Sequence, residues 1–396
     1  MSVTLSGGSG QTIVIPYDYA LTSGTAQAYA ASDKAPTEYS GPGEQTPPPA
    51  TPDTPLLVSG TPTEAISTNG YLKILINASS RVSVAGSSGD EVIVVGNAGI
   101  VYNTGGGSDY VFIGGGNNII GTTVGVSEGN SYFTTGGGND TIVSATGNNT
   151  IIAGSGNNQI SLNYGSGNNL VYSDGNDIIW AGGGNDTIGV ADSATVIGGS
   201  GHLTFIGGTG NSTVTGGSGT ATIFGGSGTG SFWGGDAGQN SITAADGRST
   251  VFTGGANSQG FAAGAGADTL VASAGNTTLG GGSSTGNNTF FAGDGDGVLV
   301  GGVGGNDTIF AGRGESTLFG GAGADVFAFF SSQVSGNPGH QVVIGDFTVG
   351  QDKLVFDGYS NASILLPQQD SGSTTLTLPD GTKIVLQGVS LIGTGV

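Results

Sequence analysis

Residues 198–235 read GGSGHLTFIGGTGNSTVTGGSGTATIFGGSGTGSFWGG: a glycine pair, a spacer, another glycine and a short apolar run, in steps of nine. The step persists from about residue 104 to residue 328, with occasional slips of one or two. When GGAGADVFA (320–328) is numbered one to nine, position eight is a β-former almost throughout, from Val111, Ile120 and Ile142 to Ile309, Leu318 and Phe327. One such residue in nine is too sparse for an ordinary sheet or an amphipathic helix. It suits a solenoid in which each unit supplies one short strand with one inward side chain. The glycine half supplies the turn, because glycine accepts positive φ without steric cost. Two units then make one coil, and neighbours in space lie about 18 residues apart in sequence. About 25 units give roughly 12 coils and, at ~4.8 Å per stacked strand, a rod on the order of 60 Å long.

Composition excludes the main alternatives. Of 396 residues 83 are glycine, but glycine does not recur every third residue and only 12 are proline, so the chain is not collagen. Apolar residues make up 35%, more than a disordered chain carries. A net charge of −21 leaves no clustered cations for phosphate, so nucleic acid is not expected as a partner. Cysteine is absent, which rules out disulfides, cysteine-ligated zinc and cysteine nucleophiles. The start, MSVTLSGGSGQTIVIPYDY, has no basic segment followed by an apolar stretch, and a conventional signal peptide is not expected. No apolar run approaches the roughly 20 residues of a membrane helix, so membrane insertion is not expected either.

Five zones follow. Residues 1–40 contain a strand-like segment, QTIVIPYDY; 41–55, GPGEQTPPPATPDTP, read as a proline-rich linker. Residues 56–103 carry strand-like runs such as YLKILIN and EVIVVG, 104–328 the nonapeptide solenoid, and 329–396 a C-terminal cap.

The full unit, G-G-x-G-x-D-x-U-x, resembles the RTX, or haemolysin-type, calcium-binding nonapeptide repeat. GGAGADVFA matches it completely; TGGGNDTIV (135–143) and AGGGNDTIG (181–189) lack only the first glycine. The resemblance implies an all-β fold, a right-handed parallel β-roll or β-solenoid with a C-terminal β cap, with Ca²⁺ between turns 18 residues apart. Ca²⁺ takes six to eight oxygens, and two stacked turns can offer carbonyls plus a carboxylate from each. Position six, the aspartate slot, holds Asp109, Asp140, Asp177, Asp186, Asp268, Asp307 and Asp325, which are the candidate metal ligands. It holds asparagine at 118, 149, 158, 169, 240 and 288, and other residues elsewhere. Only Asp307 and Asp325 are both aspartate and 18 apart, which makes them the first candidate pair; Asp140 with Asn158 follows. With glycine turns and position-eight residues intact, coils lacking the aspartate are expected to stand without calcium. The segments VVIGDFTVGQDKLVFDG (342–358) and LTLPDGTKIVLQGVSL (376–391) are similar to the end of many RTX exoproteins. That similarity implies a cap, with Asp346, Asp352 and Asp357 making its surface polar, and an uncleaved signal for type I export.

Position seven is mostly threonine and position nine often aromatic, and alternation about position eight turns both outward. Phe224, Trp233, Phe252, Phe310 and Phe319 thus form an expected contact stripe, and the N-terminal strand could add to a neighbour's edge. The region before the repeats has no histidine and no HExxH or GxSxG context, and the histidines, His202 and His340, read as surface residues, so catalysis is not expected. The expectation is a secreted or cell-surface calcium-binding protein that self-assembles into a fibre, surface layer or biofilm matrix. The alternative is a module binding ice or cell-surface polysaccharide through threonine rows.

Overall fold

A computed structural model describes residues 2–6, 12–16, 37–39, 47–51, 54–62, 65–121, 129–144, 146–273, 275–334, 339–359 and 365–390. The chain divides into two compact units, one ending at Gly210 and the other running from Asn211 to the C-terminus. Each is a parallel β-solenoid in which successive strands alternate between two sheets.

In the N-terminal unit one sheet runs from Thr37–Tyr39 and Leu56–Gly60 to Leu203–Ile206, the other from Ile66–Ser67 to Ser193–Ile197. Position-eight residues stack directly: Ile142 pairs with Ile160, Ile160 with Ile179 and Ile179 with Val196. Their sequence separations of 18, 19 and 17 are the slips of the period, absorbed in the turns while the core column keeps its register. Coiling begins well before the nonapeptides. Thr37–Tyr39 pairs in parallel with Leu56–Gly60, so the proline-rich stretch, described only at 47–51 and 54–55, connects two stacked strands. Of the N-terminal segment, Thr12–Pro16 forms an antiparallel hairpin with Ser2–Ser6.

In the C-terminal unit one sheet runs from Ser212–Thr215 to Lys353–Asp357 and the other from Ala221–Phe224 through Gln341–Ile344 to Lys383–Leu386. The second sheet changes direction at its end: Lys383–Leu386 pairs antiparallel with Ser373–Thr377, which pairs antiparallel with Leu365–Asp370. This reversal is the cap, which keeps the last coil from presenting an open parallel edge. The last six residues, part of the expected export signal, lie outside the described residues.

All 21 position-eight residues from Val111 to Phe327 named by the period are at most 1% exposed. Phe133 and Val196 fill the same column, and Gly260 takes that place between Ile242 and Leu279. Each apolar side chain so buried contributes about 1.5–3 kcal/mol, summed over many thin layers. The position-seven threonines are half-buried or exposed, as alternation requires. Phe112 at position nine departs from the expected outward placement: it is 6% exposed, tilted against Tyr132 at 5.7 Å.

Steric contact between coils explains the glycine frame. A Cβ on Gly147 would lie 1.8 Å from the Gly129 carbonyl oxygen one coil below, and its φ of +83° is itself unfavourable for other residues. Gly301 meets Gly320 in the same way, at 1.9 Å. The turns stack at the strand spacing only because these side chains are absent.

Candidate calcium sites

Parallel ladders satisfy the strands, and some turn N–H groups, such as those of Gly129 and Gly183, reach carbonyls of the neighbouring coil, but the N–H groups at positions five and six need side-chain partners. Positions five and six supply them. At position six the aspartate or asparagine Oδ1 accepts the N–H of the slot residue one coil earlier: Ser131 N–H donates to Asn149 Oδ1 (2.8 Å), Asn149 to Asn169 (3.0 Å) and Asn169 to Asp186 (3.1 Å). At position five the direction reverses, and the donor comes from the following coil: Asn148 N–H donates to Asn130 Oδ1, Asn168 to Asn148, and Asn185 to Asn168, at 2.7–2.8 Å. The slot ladder lies buried and the position-five ladder faces solvent. Together they hold each turn from below and above.

This geometry separates the seven slot aspartates. Asp186 has Oδ1 on Asn169 and Oδ2 on Gly182 N–H. Asp268 accepts from Ser249 and Ala263, and Asp307 from Asn288 and Gly302. Asp109 accepts the Glu91 N–H at Oδ1 and the Tyr102 hydroxyl at Oδ2. These four carboxylates are engaged at both oxygens. Asp140, Asp177 and Asp325 differ: Oδ1 accepts a backbone N–H, from Asn118, Asn158 and Asp307 respectively, while Oδ2 is buried without a hydrogen-bond partner. The Ser173 hydroxyl lies near Asp177. An ionised carboxylate oxygen buried without a donor is costly.

Ca²⁺ fits such positions, because it accepts carboxylate and carbonyl oxygens together. The expected pair, Asp307 and Asp325, is brought onto adjacent coils, and of the two Asp325 keeps the oxygen available. Glycine turns leave room beside it; a Cβ on Gly320 would lie 2.5 Å from Asp325 Oδ2. Burial, joined by the charges of Asp307, Asp352 and Asp346, raises the Asp325 carboxyl to about 6. Burial also raises Asp177 and Asp307 from the ordinary carboxylate range, and Asp268 to about 6. Among the described residues no three acidic or histidine side chains converge as a ligand group, so backbone carbonyls must complete any site.

Asparagine in the slot keeps the Oδ1 acceptor and adds donors. Asn149 Nδ2 donates to the Thr146 and Gly147 carbonyls and to Asn169 Oδ1. Asn118 Nδ2 donates to the Gly116 carbonyl and Asp140 Oδ1, and Asn169 Nδ2 to the Gly167 carbonyl and Asp186 Oδ1. The amide thus bridges turn carbonyls to the slot oxygen of the next coil, a task a cation performs by charge. Coils with asparagine in the slot carry this bridge in their own side chain, as hydrogen bonds.

Three features escape the period. Glu91 occupies the slot level one coil before Asp109 and is fully buried; both its carboxylate and that of Asp109 meet the Tyr102 hydroxyl. Burial raises the Asp109 carboxyl to about 8, with Glu91 adding to the rise, and also raises Tyr102. Asp346 and Asp352 do more than make the cap polar. Asp346 accepts the Gly320 and Gly321 N–H groups, while Asp352 accepts those of Asp325 and Thr348 and so extends the slot ladder. Asp357 is exposed at the end of Lys353–Asp357, the last strand of its sheet. His340 is buried rather than superficial, with Nδ1 3.3 Å from Thr382 Oγ1, because the cap strands fold over it.

The family model of the RTX calcium-binding nonapeptide repeat (4 copies) matches residues 127–160, 134–171, 165–188, 197–231, 261–279 and 301–328. No curated protein matches the chain.

Proposed function

From the premise that this chain is an RTX calcium-binding nonapeptide-repeat protein, we propose that it is a secreted, non-enzymatic structural solenoid that self-assembles into an extracellular fibre, surface layer or biofilm matrix. The family implies type I export. Ca²⁺ supplies positive charge to slot carboxylates left with an open oxygen, Asp325 first, and stabilises the folded state it binds. The asparagine-bridged coils hold their turns without it.

One observation carries the assembly reading. In the C-terminal unit, position-nine residues of one sheet form a half-buried column of Trp233, Phe252, Val271, Phe291 and Phe310. Trp233 stacks on Phe252 at 5.5 Å and Phe291 on Phe310 at 4.5 Å. The stacked, half-buried rings form an apolar ridge of the kind that marks contact surfaces. Phe224 and Phe319 lie on the other sheet, so the ridge does not include them. Thr250, Thr269, Thr289 and Thr308 run beside the ridge, but an aromatic neighbour column disfavours a lattice match to ice.

Electron microscopy of purified protein in Ca²⁺ and in chelator tests the reading. Concentration-dependent filaments or sheets that Trp233→Ser with Phe252→Ser abolishes are expected; monomers at every concentration in Ca²⁺ would end it.

A further inference from the structure

The sheet opposite the aromatic ridge, in the same unit, carries a groove of about 640 Å³. Its floor is the outward row Gln259, Thr278, Val298, Thr317 and Val343, one residue from each of five consecutive strands in register. Its rim is the exposed row two residues earlier, in the turns that lead into the strands except for Gln341: Asn257, Asn276, Asp296, Glu315 and Gln341. The ridge and this groove are thus made by the same coils with opposite chemistry.

The lining is polar without a single cation. Asp296 is fixed, its Oδ1 accepting the Glu315 N–H at 2.9 Å. The side chains of Asn257, Gln259, Asn276, Thr278, Glu315 and Thr317 form no hydrogen bond with the protein among the described residues. Amides, hydroxyls and carboxylates therefore stand at one set per coil, every ~4.8 Å, over roughly 19 Å. A β-1,4-linked pyranose chain advances by about the same step per sugar, so the sugars keep step with the coils, and alternate sugars, which present the same edge, meet every second coil in equivalent settings. Val298, 40% exposed at the centre of the floor, offers an apolar contact to a ring face. Asp296 and Glu315 beside it repel uronic acids and other polyanions and pair with a protonated amine.

We propose that this groove binds a linear β-1,4-linked amino-sugar polysaccharide, its hydroxyls held by the floor and rim amides and its free amines by Asp296 and Glu315. The groove lies within one unit of a single chain, so the inference stands independently of self-assembly.

Titration calorimetry of the full chain in Ca²⁺ with three hexasaccharides tests it: a partly deacetylated chito-oligosaccharide, the fully acetylated one, and an oligouronate. The partly deacetylated hexamer should bind best and the oligouronate not at all. Asp296→Asn with Glu315→Gln, which keeps the acceptor for the Glu315 N–H, should weaken the deacetylated hexamer by about tenfold through loss of charge-assisted hydrogen bonds. It should leave the acetylated one little changed. Thr317→Arg, or Val298→Arg should the first not fold, should block both. Failure of either amino-sugar hexamer to bind overturns the proposal, as does equal binding of the oligouronate or unchanged binding in the folded arginine variant.

Discussion

Asp325 Oδ1 accepts the backbone N–H of Asp307 at 2.8 Å while its buried Oδ2 has no hydrogen-bond partner. Asp307 itself is closed, its second oxygen taken by Gly302 N–H. Two aspartates equivalent in sequence therefore differ in what they can offer a cation. Asp325→Asn is expected to weaken Ca²⁺ binding by about tenfold or more, since ligand charge tunes these affinities over decades. Asp268→Asn, at a carboxylate engaged on both oxygens, should change it little. Calcium titration followed by calorimetry distinguishes them, and equal losses in the two variants would contradict the sorting.

Asn149 tests the opposite case. Its Oδ1 holds the Ser131 N–H and its Nδ2 reaches the Thr146 and Gly147 carbonyls. Asn149→Ala orphans these groups and should cost about 1–3 kcal/mol equally with Ca²⁺ or with chelator. Asn149→Asp keeps the acceptor but sets a carboxylate against two carbonyls and Asn169 Oδ1. It should be destabilised in chelator and largely recovered in millimolar Ca²⁺. Thermal melts of both variants under both conditions give the answer; a calcium-insensitive loss in Asn149→Asp would show that the amide does not substitute for a cation.

The solenoid was legible because a single observable, the nine-residue period, fixes strand, turn and core column together. Val111 through Phe327 fell into the core where the period placed them. Which aspartates keep an open oxygen was not legible, because that depends on donors in other parts of the coil: Gly182 closes Asp186, and Ala263 closes Asp268. The position-five ladder did leave a signal in the recurrent Asn-Asn and Asn-Asp pairs at 117–118, 139–140, 148–149 and 306–307, two polar residues where the motif calls for one. Glu91 was missed because it precedes the regular repeats and is a glutamate where the motif has aspartate, although it lies 18 residues before Asp109, whose Oδ1 accepts its N–H.

That cluster predicts a pH dependence. Asp109 titrates near 8 in the folded protein, raised first by burial, against about 3.8 for an ordinary aspartate. The folded state therefore holds the proton more tightly than the unfolded chain. The stability this contributes is fully present below about pH 4 and is lost as pH rises towards 8. Asp109→Asn cannot lose a proton, so the variant should gain stability relative to the parent between pH 5 and pH 8. Denaturant midpoints of both proteins across that range, in chelator, provide the measurement, and a constant difference would refute the assignment.

The cap predicts where unfolding starts. Inner turns such as those at Asn149, Asn288 and Asp307 have a following coil whose slot side chain accepts the slot N–H, but the turn at 320–325 has none of the regular kind. Asp346 stands in, taking the Gly320 and Gly321 N–H groups, and Asp352 takes that of Asp325. Asp346→Ala leaves two donors unmet, at about 1–3 kcal/mol for each that stays buried. Because stability in a solenoid is built from nearest-neighbour terms, the loss should be local. Hydrogen exchange should therefore accelerate at Gly320 and Gly321 and in the strand Gln341–Ile344, with the N-terminal unit unchanged. Uniform acceleration across the chain would mean that Asp346 acts on the whole fold and that the cap is not a separate closing device.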